Sequence, residues 1–127
     1  MSIIFENNLI RIERESSQIP WVKLFTQDPY KEMSHVPHPL RLYLYALLQL
    51  IEEEMIAYYQ PTKINLASFG NYLPHLHWHI MARFEEDNYF PEPMWGEQQR
   101  QTQLTLPPFS LFEEKMVQKI KQLSYEA

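Results

Sequence analysis

Residues 75–84 read His-Leu-His-Trp-His-Ile-Met-Ala-Arg-Phe, and this alternation constrains the fold more than any other stretch of the chain. His75, His77, His79, Met81 and Arg83 occupy one parity, while Leu76, Trp78, Ile80, Ala82 and Phe84 occupy the other. A helix would scatter both sets around its circumference, whereas a strand sends alternate side chains to opposite faces. The segment is therefore predicted as a β-strand with a buried apolar face and three of the chain's five histidines in register on the other.

Such a strand belongs to a half-buried sheet, and the rest of the sequence offers partners. Residues 8–15 alternate Leu9, Arg11 and Glu13 with Ile10, Ile12 and Arg14, and Ser16-Ser17-Gln18 supplies a turn. Trp21–Thr26 is rich in β-branched and aromatic residues and ends at Asp28-Pro29, so these two segments are expected to pair antiparallel. Residues 64–69 form another strand, joined through Gly70-Asn71 to the histidine strand.

Two helices complete the list. Pro37-His38-Pro39 opens the clearer one, in which Leu40, Leu44, Leu47, Leu48, Ile51 and Met55 recur at helical spacing until Pro61 closes it. Glu52-Glu53-Glu54 is expected on its solvated face, and His35 and His38 as loop or cap residues. Residues 85–88 read as a turn and 89–96 as an ordered loop rich in proline and aromatics. Ser110 and Glu113 then form a capping-box pattern for a last helix with Phe112, Met116, Ile120 and Leu123 on its apolar face. The predicted class is α+β: an antiparallel sheet, a long helix before the histidine strand, and a C-terminal helix.

Composition narrows the chemistry. The 127 residues are expected to form a single domain over 1–127. No cysteine is present, which removes disulfides, thiolate zinc sites and cysteine nucleophiles together and suits a reducing compartment. Gly70 and Gly96 are the two glycines, too few for a dinucleotide-binding triplet or a P-loop. A formal charge of -5 argues against gripping a nucleic-acid polymer, though not against a pocket for one nucleotide. The opening Met1-Ser2-Ile3-Ile4-Phe5 lacks a basic start and Glu6 interrupts it, so no secretory signal is expected. The apolar run 40–51 contains Arg41 and Gln49 and is shorter than a bilayer span needs. A cytoplasmic protein without membrane contact is expected.

Three readings compete for the histidine face. The imidazoles could be ordinary polar groups on an exposed sheet face. They could bind zinc, but about 13–14 Å of straight strand separates the outer pair, so one ion would need a further ligand such as His35, His38 or a glutamate. Or they could serve nucleophilic catalysis at phosphorus. A neutral imidazole is an available nucleophile near pH 7, and flanking imidazoles can donate hydrogen bonds to phosphoryl oxygens as charge develops.

The run His-hydrophobic-His-hydrophobic-His-hydrophobic-hydrophobic from His75 through Met81 resembles the defining pattern of the histidine triad (HIT) family. Ile3-Ile4-Phe5-Glu6 looks like a common opening of those chains, and Gly70-Asn71 lies where they usually have Gly-Gln. The likeness covers about residues 3–84 and leaves 85–127 as a C-terminal extension. Within that extension, Phe90-Pro91-Glu92-Pro93-Met94-Trp95-Gly96 looks like a bacterial branch labelled dinucleoside polyphosphate hydrolase.

The resemblance implies a nucleotide hydrolase or nucleotidyl transferase that attacks an α-phosphate through His77, with His75 and His79 orienting it and binding phosphate oxygens. It implies substrate contacts at Asn65, Gly70, Asn71, Tyr72 and Glu13: Asn65 at the nucleotide, Asn71 in place of a phosphate-contacting glutamine, Glu13 near the ribose hydroxyls. It further implies a homodimer, no required cofactor, and a divalent metal only as companion to a polyphosphate substrate. Two departures stand out. Pro20-Trp21 occupies the place of a fourth histidine found in many relatives, and Tyr72 replaces a Ser or Thr near the leaving group. The phenol of Tyr72 could donate a proton, and packing accounts for both residues equally well. The aromatic loop could stack on a nucleobase or pack a dimer interface, of which packing is the simpler expectation. A non-catalytic nucleotide-binding module and a zinc-binding protein are the alternatives.

Overall fold

The computed structural model describes residues 2–123; Met1 and the last four residues of the extension, 124–127, lie outside the described residues. Five strands form one sheet: β1 (Ser2–Glu6), β2 (Ile10–Arg14), β3 (Trp21–Thr26), β4 (Lys63–Ala67) and β5 (His77–Arg83). Two helices accompany it, α1 (His38–Tyr59) and α2 (Phe109–Gln122), with a short 3-10 turn at Met33–His35. The class is α+β, and every neighbouring pair in the order β1-β2-β3-β5-β4 is antiparallel. After β3 the chain crosses through α1 to the sheet's outer edge at β4, then returns as β5 between β4 and β3. That return puts the histidine strand inside the sheet, with a hydrogen-bonding partner on each side.

One face of the sheet is the core. Ile10, Ile12, Val22, Leu24, Ile64, Ile80 and Ala82 meet Leu40, Leu44, Leu47, Leu48, Ile51 and Met55 of α1, and Phe112, Met116 and Ile120 of α2 close the cluster. The apolar stripe of α1 is buried as its spacing predicts, and Gln60 ends the helix in the left-handed conformation just before Pro61. Leu76, Ile80 and Ala82 are likewise buried, with Trp78 and Phe84 packed at the margin. None of the described helices is long and apolar enough to cross a membrane.

Several expectations are corrected. β5 begins at His77 rather than His75, because its last pairing with β3 is Phe25 with His77. Beyond that point β3 turns away at Asp28-Pro29, Pro74 brings no amide proton, and the Leu76 amide donates to the Tyr30 carbonyl instead. β4 stops at Ala67, and Ser68 donates its hydroxyl to the His77 carbonyl as the chain leaves the sheet. β1 is a strand that alternation alone did not signal; a register shift between Ile3 and Phe5 breaks its period. Ser110 caps nothing: Pro108 holds the N-cap position of α2 without a side-chain bond. Glu54 is buried and receives a 2.6 Å bond from Lys119 of α2, so only part of the glutamate run is solvated.

Residues 85–102 form a loop that folds back over the second face, and Asp87 organises it. Its carboxylate accepts from Arg83 Nε and Nη2 at 2.9 and 3.1 Å and from the amides of Phe84, Tyr89 and Phe90. Arg100 donates to the carbonyls of Asp87 and Phe90, and Arg83 to that of Glu92. Gln18 ties the far end through Thr102 and Asn88. Met81 and Arg83, expected to continue the histidine face, are covered by this loop and almost fully buried.

Candidate functional site

The second face of the sheet carries two rows of side chains set by the antiparallel registers. Arg11, Phe25 and His77 form one row, and Glu13, Lys23 and His79 the next. His77 stacks on Phe25 with ring centroids 4.8 Å apart, and His79 lies edge-on to His77 at 5.1 Å. Lys23 reaches Glu15 at 3.3 Å. Over these rows opens a cavity of about 410 Å³, within the range of small-molecule sites. Its floor is Lys23, Phe25, His77 and His79; its walls are Phe69 to Leu73 on one side and Trp95 on the other.

The wall after β4 turns sharply at Gly70, whose φ of +70° is costly for any residue with a Cβ. Asn71 and Leu73 follow, and Tyr72 stands fully exposed at the mouth. The opposite wall is aromatic. Trp95 meets His79 at 4.9 Å, Phe69 at 4.9 Å and Trp21 at 5.3 Å, all near-perpendicular. The loop anchored on Asp87 therefore delivers Trp95 against the histidines of its own chain.

The imidazole protons follow from the partners. Nδ1 of His77 lies 2.8 Å from the His75 carbonyl, which can only accept. That nitrogen carries the proton, and Nε2 keeps a free lone pair. Nδ1 of His79 accepts a 3.0 Å bond from the Trp21 indole. Burial, then His77, then Lys23 lower the pKa of His79 to about 4, so this ring is neutral at pH 7. His75 Nε2 lies 2.6 Å from the Thr26 carbonyl, which again can only accept.

The sequence-predicted residues divide accordingly. His77, His79, Gly70, Asn71 and Tyr72 line the cavity, while His75, Asn65 and Glu13 do not. His75 sits before the strand, supports His77 through its carbonyl and commits its own ring to β3. Asn65 accepts a 2.9 Å bond from Arg83, and Glu13 is paired with Arg11 at 2.7 Å. Among the described residues no three His, Cys, Asp or Glu side chains converge where a metal ion could be held.

Five cavity residues had no site role from the sequence: Lys23, Phe25, Phe69, Leu73 and Trp95. The alternation of Trp21, Lys23 and Phe25 within β3 carries the signal for two of them, since all three must share a face. Trp95 is brought in by the folded-back loop and leaves no periodic trace. It packs within its own chain against Trp21, Phe69 and His79.

A family model described as the HIT domain matches residues 2–86. Among solved structures, a histidine triad protein from Bradyrhizobium japonicum aligns with a TM-score of 0.73 at 21% identity, covering 95% of this chain and 88% of that one. One from Sinorhizobium meliloti gives 0.72 at 23% identity with the same coverages, 95% and 88%. A third from Marinobacter aquaeolei gives 0.71 at 24%, covering 95% and 85%. No curated protein matches the sequence.

Proposed function

The chain belongs to the histidine triad family, and from that premise we propose that it is a nucleotide hydrolase or nucleotidyl transferase working through His77. Family membership supports a nucleotide-binding or hydrolytic function at the coarse level. One observation carries the finer reading: the His75 carbonyl holds the proton of His77 on Nδ1, leaving Nε2 as a lone pair in a ring that lines the cavity.

In the proposed reaction, Nε2 attacks the α-phosphorus of a phosphoanhydride or phosphoramidate. The bond to the leaving group breaks, the leaving group keeps the electron pair and takes a proton from solvent, and a nucleotidyl-histidine remains. Water then attacks that phosphorus, loses a proton, and returns the pair to Nε2. Lys23 supplies positive charge at the floor, and His79 stands beside the attacked centre. The step uses the chain's own groups, with a divalent cation only as companion to a polyphosphate such as a dinucleoside polyphosphate. The base is proposed to lie along the aromatic wall formed by Phe69 and Trp95.

The reading extends to assembly. β4 is an edge strand, and Leu66 on it is exposed together with Leu42, Tyr45 and Ile56 of α1. An unpaired edge beside apolar side chains supports a homodimer in which the sheet continues into a second copy. Light scattering of the purified protein measures its mass, and a monomer at micromolar concentration would refute the dimer.

Incubation with a nucleoside phosphoramidate and with a dinucleoside polyphosphate tests the chemistry. Turnover that falls by orders of magnitude in His77→Ala, with a nucleotidyl adduct on His77 by mass spectrometry, is expected. Binding without turnover would favour the non-catalytic module, for which Trp21 in place of a fourth histidine is the supporting observation.

A further inference from the structure

Trp21 lies outside the cavity wall yet reaches the site through one bond. Its indole Nε1 donates to Nδ1 of His79 at 3.0 Å. In the β3–β5 register Trp21 opposes Met81, and Lys23 opposes His79, so the bond runs diagonally across the ladder. The indole is the long, rigid donor that such a diagonal needs. It is also clamped, since its ring packs edge-on against His79 at 5.7 Å and against Trp95 at 5.3 Å.

An indole N–H can donate and cannot accept, so Nδ1 of His79 must be the acceptor. A neutral imidazole that accepts at Nδ1 bears its proton at Nε2. The neighbouring ring is in the opposite state: His77 donates from Nδ1 to a carbonyl and keeps its lone pair at Nε2. Two imidazoles 5.1 Å apart thus present complementary atoms, one nucleophilic and one hydrogen-bond donating, because their backbone and indole partners differ in kind.

We propose that Trp21 is a positioning residue that holds His79 as the Nε2–H tautomer in a fixed ring orientation, so that the cavity offers a donor for a phosphoryl oxygen beside the nucleophile. Its catalytic consequence rests on the nucleotidyl-transfer reading above; the tautomer itself does not. No other described residue bonds the His79 ring nitrogens, so nothing replaces the indole when its N–H is lost. Without it the ring can rotate about its Cβ–Cγ bond and exchange tautomers. Burial, then His77 and then Lys23 lower the pKa of His79, which keeps the ring neutral and able to accept at Nδ1.

The test is nitrogen-15 NMR of the imidazoles in the full chain at pH 7. In the parent protein, His79 should show an unprotonated Nδ1 and a protonated Nε2, while His77 shows the reverse pattern. Trp21→Phe removes the donor. Should that variant fail to fold, β-(3-benzothienyl)alanine at position 21 keeps the bicyclic shape and deletes only the N–H. Either replacement should move the His79 shifts toward a tautomer average, leave those of His77 in place, and lower kcat about 10-fold with KM changed less than 3-fold. A parent His79 protonated at Nδ1, or shifts unmoved by the benzothienyl replacement, would overturn the proposal. The spectra decide the matter even in a protein without turnover, so this inference and the hydrolase reading can fail separately.

Discussion

Phe25 and His77 face each other across β3 and β5 with their ring planes only 18° from parallel, and Arg11 lies over Phe25 at 4.2 Å. The stack and the His75 carbonyl together fix the plane of the proposed nucleophile. An aromatic contact of this kind contributes about 0.5–1.5 kcal/mol beyond its area. Phe25→Leu should therefore lower kcat/KM about 2- to 10-fold while the fold survives. Steady-state kinetics with a nucleoside phosphoramidate checks it, and an unchanged kcat/KM would show that the stack is dispensable.

The depressed pKa of His79 makes stability depend on pH with a definite sign. The unfolded ring titrates near 6.5, whereas the folded ring titrates near 4. Between those values the unfolded chain binds more protons, so stability rises with pH across the window and is lost as pH falls through it. Denaturant unfolding at pH 7.5 and pH 4.5 should differ through this group by about 1–3 kcal/mol. His79→Gln should shrink the difference; an equal difference in parent and variant would remove His79 as its source.

Asp87 is the least replaceable charged residue of the loop. Burial alone would raise its pKa, but the Arg83 bond and the amides of Phe84, Tyr89 and Phe90 outweigh it and hold the carboxyl below the usual range. Asp87→Ala would leave the Arg83 guanidinium buried without its counter-charge, which costs about 3–5 kcal/mol in such pairs. Glu54→Gln, across a bridge whose lysine is half exposed, should cost at most about 1 kcal/mol. Midpoints of chemical unfolding compare the two, and equal losses would contradict the assignment of Asp87 as the hub.

Trp95 is half exposed within the cavity while also touching His79. As a wall for substrate, Trp95→Ala should raise KM about 3- to 10-fold and alter kcat less. A fall in kcat at constant KM would instead assign Trp95 to holding the imidazole.

Much of this molecule could be read from local spacing. The period of two across residues 77–83 and the three- and four-residue recurrence through α1 are consequences of strand and helix geometry, so the elements and their buried faces follow from the chain itself. His77 and His79 share a face for the same reason. His75 obeyed the period in sequence but lost its partner strand in space, since strand formation there depends on where β3 ends. The side chains of Asn65 and Glu13 are engaged by Arg83 and Arg11.

What the sequence determined alone is the strand that carries the imidazoles, because alternation is a property of neighbouring residues. Tertiary structure decided which nitrogen of each ring bears its proton and what walls the cavity. Trp21 and His79 are 58 positions apart, and Trp95 arrives through a loop pinned on a buried carboxylate. No local pattern encodes a hydrogen bond whose donor and acceptor meet only when the register of β3 against β5 is set.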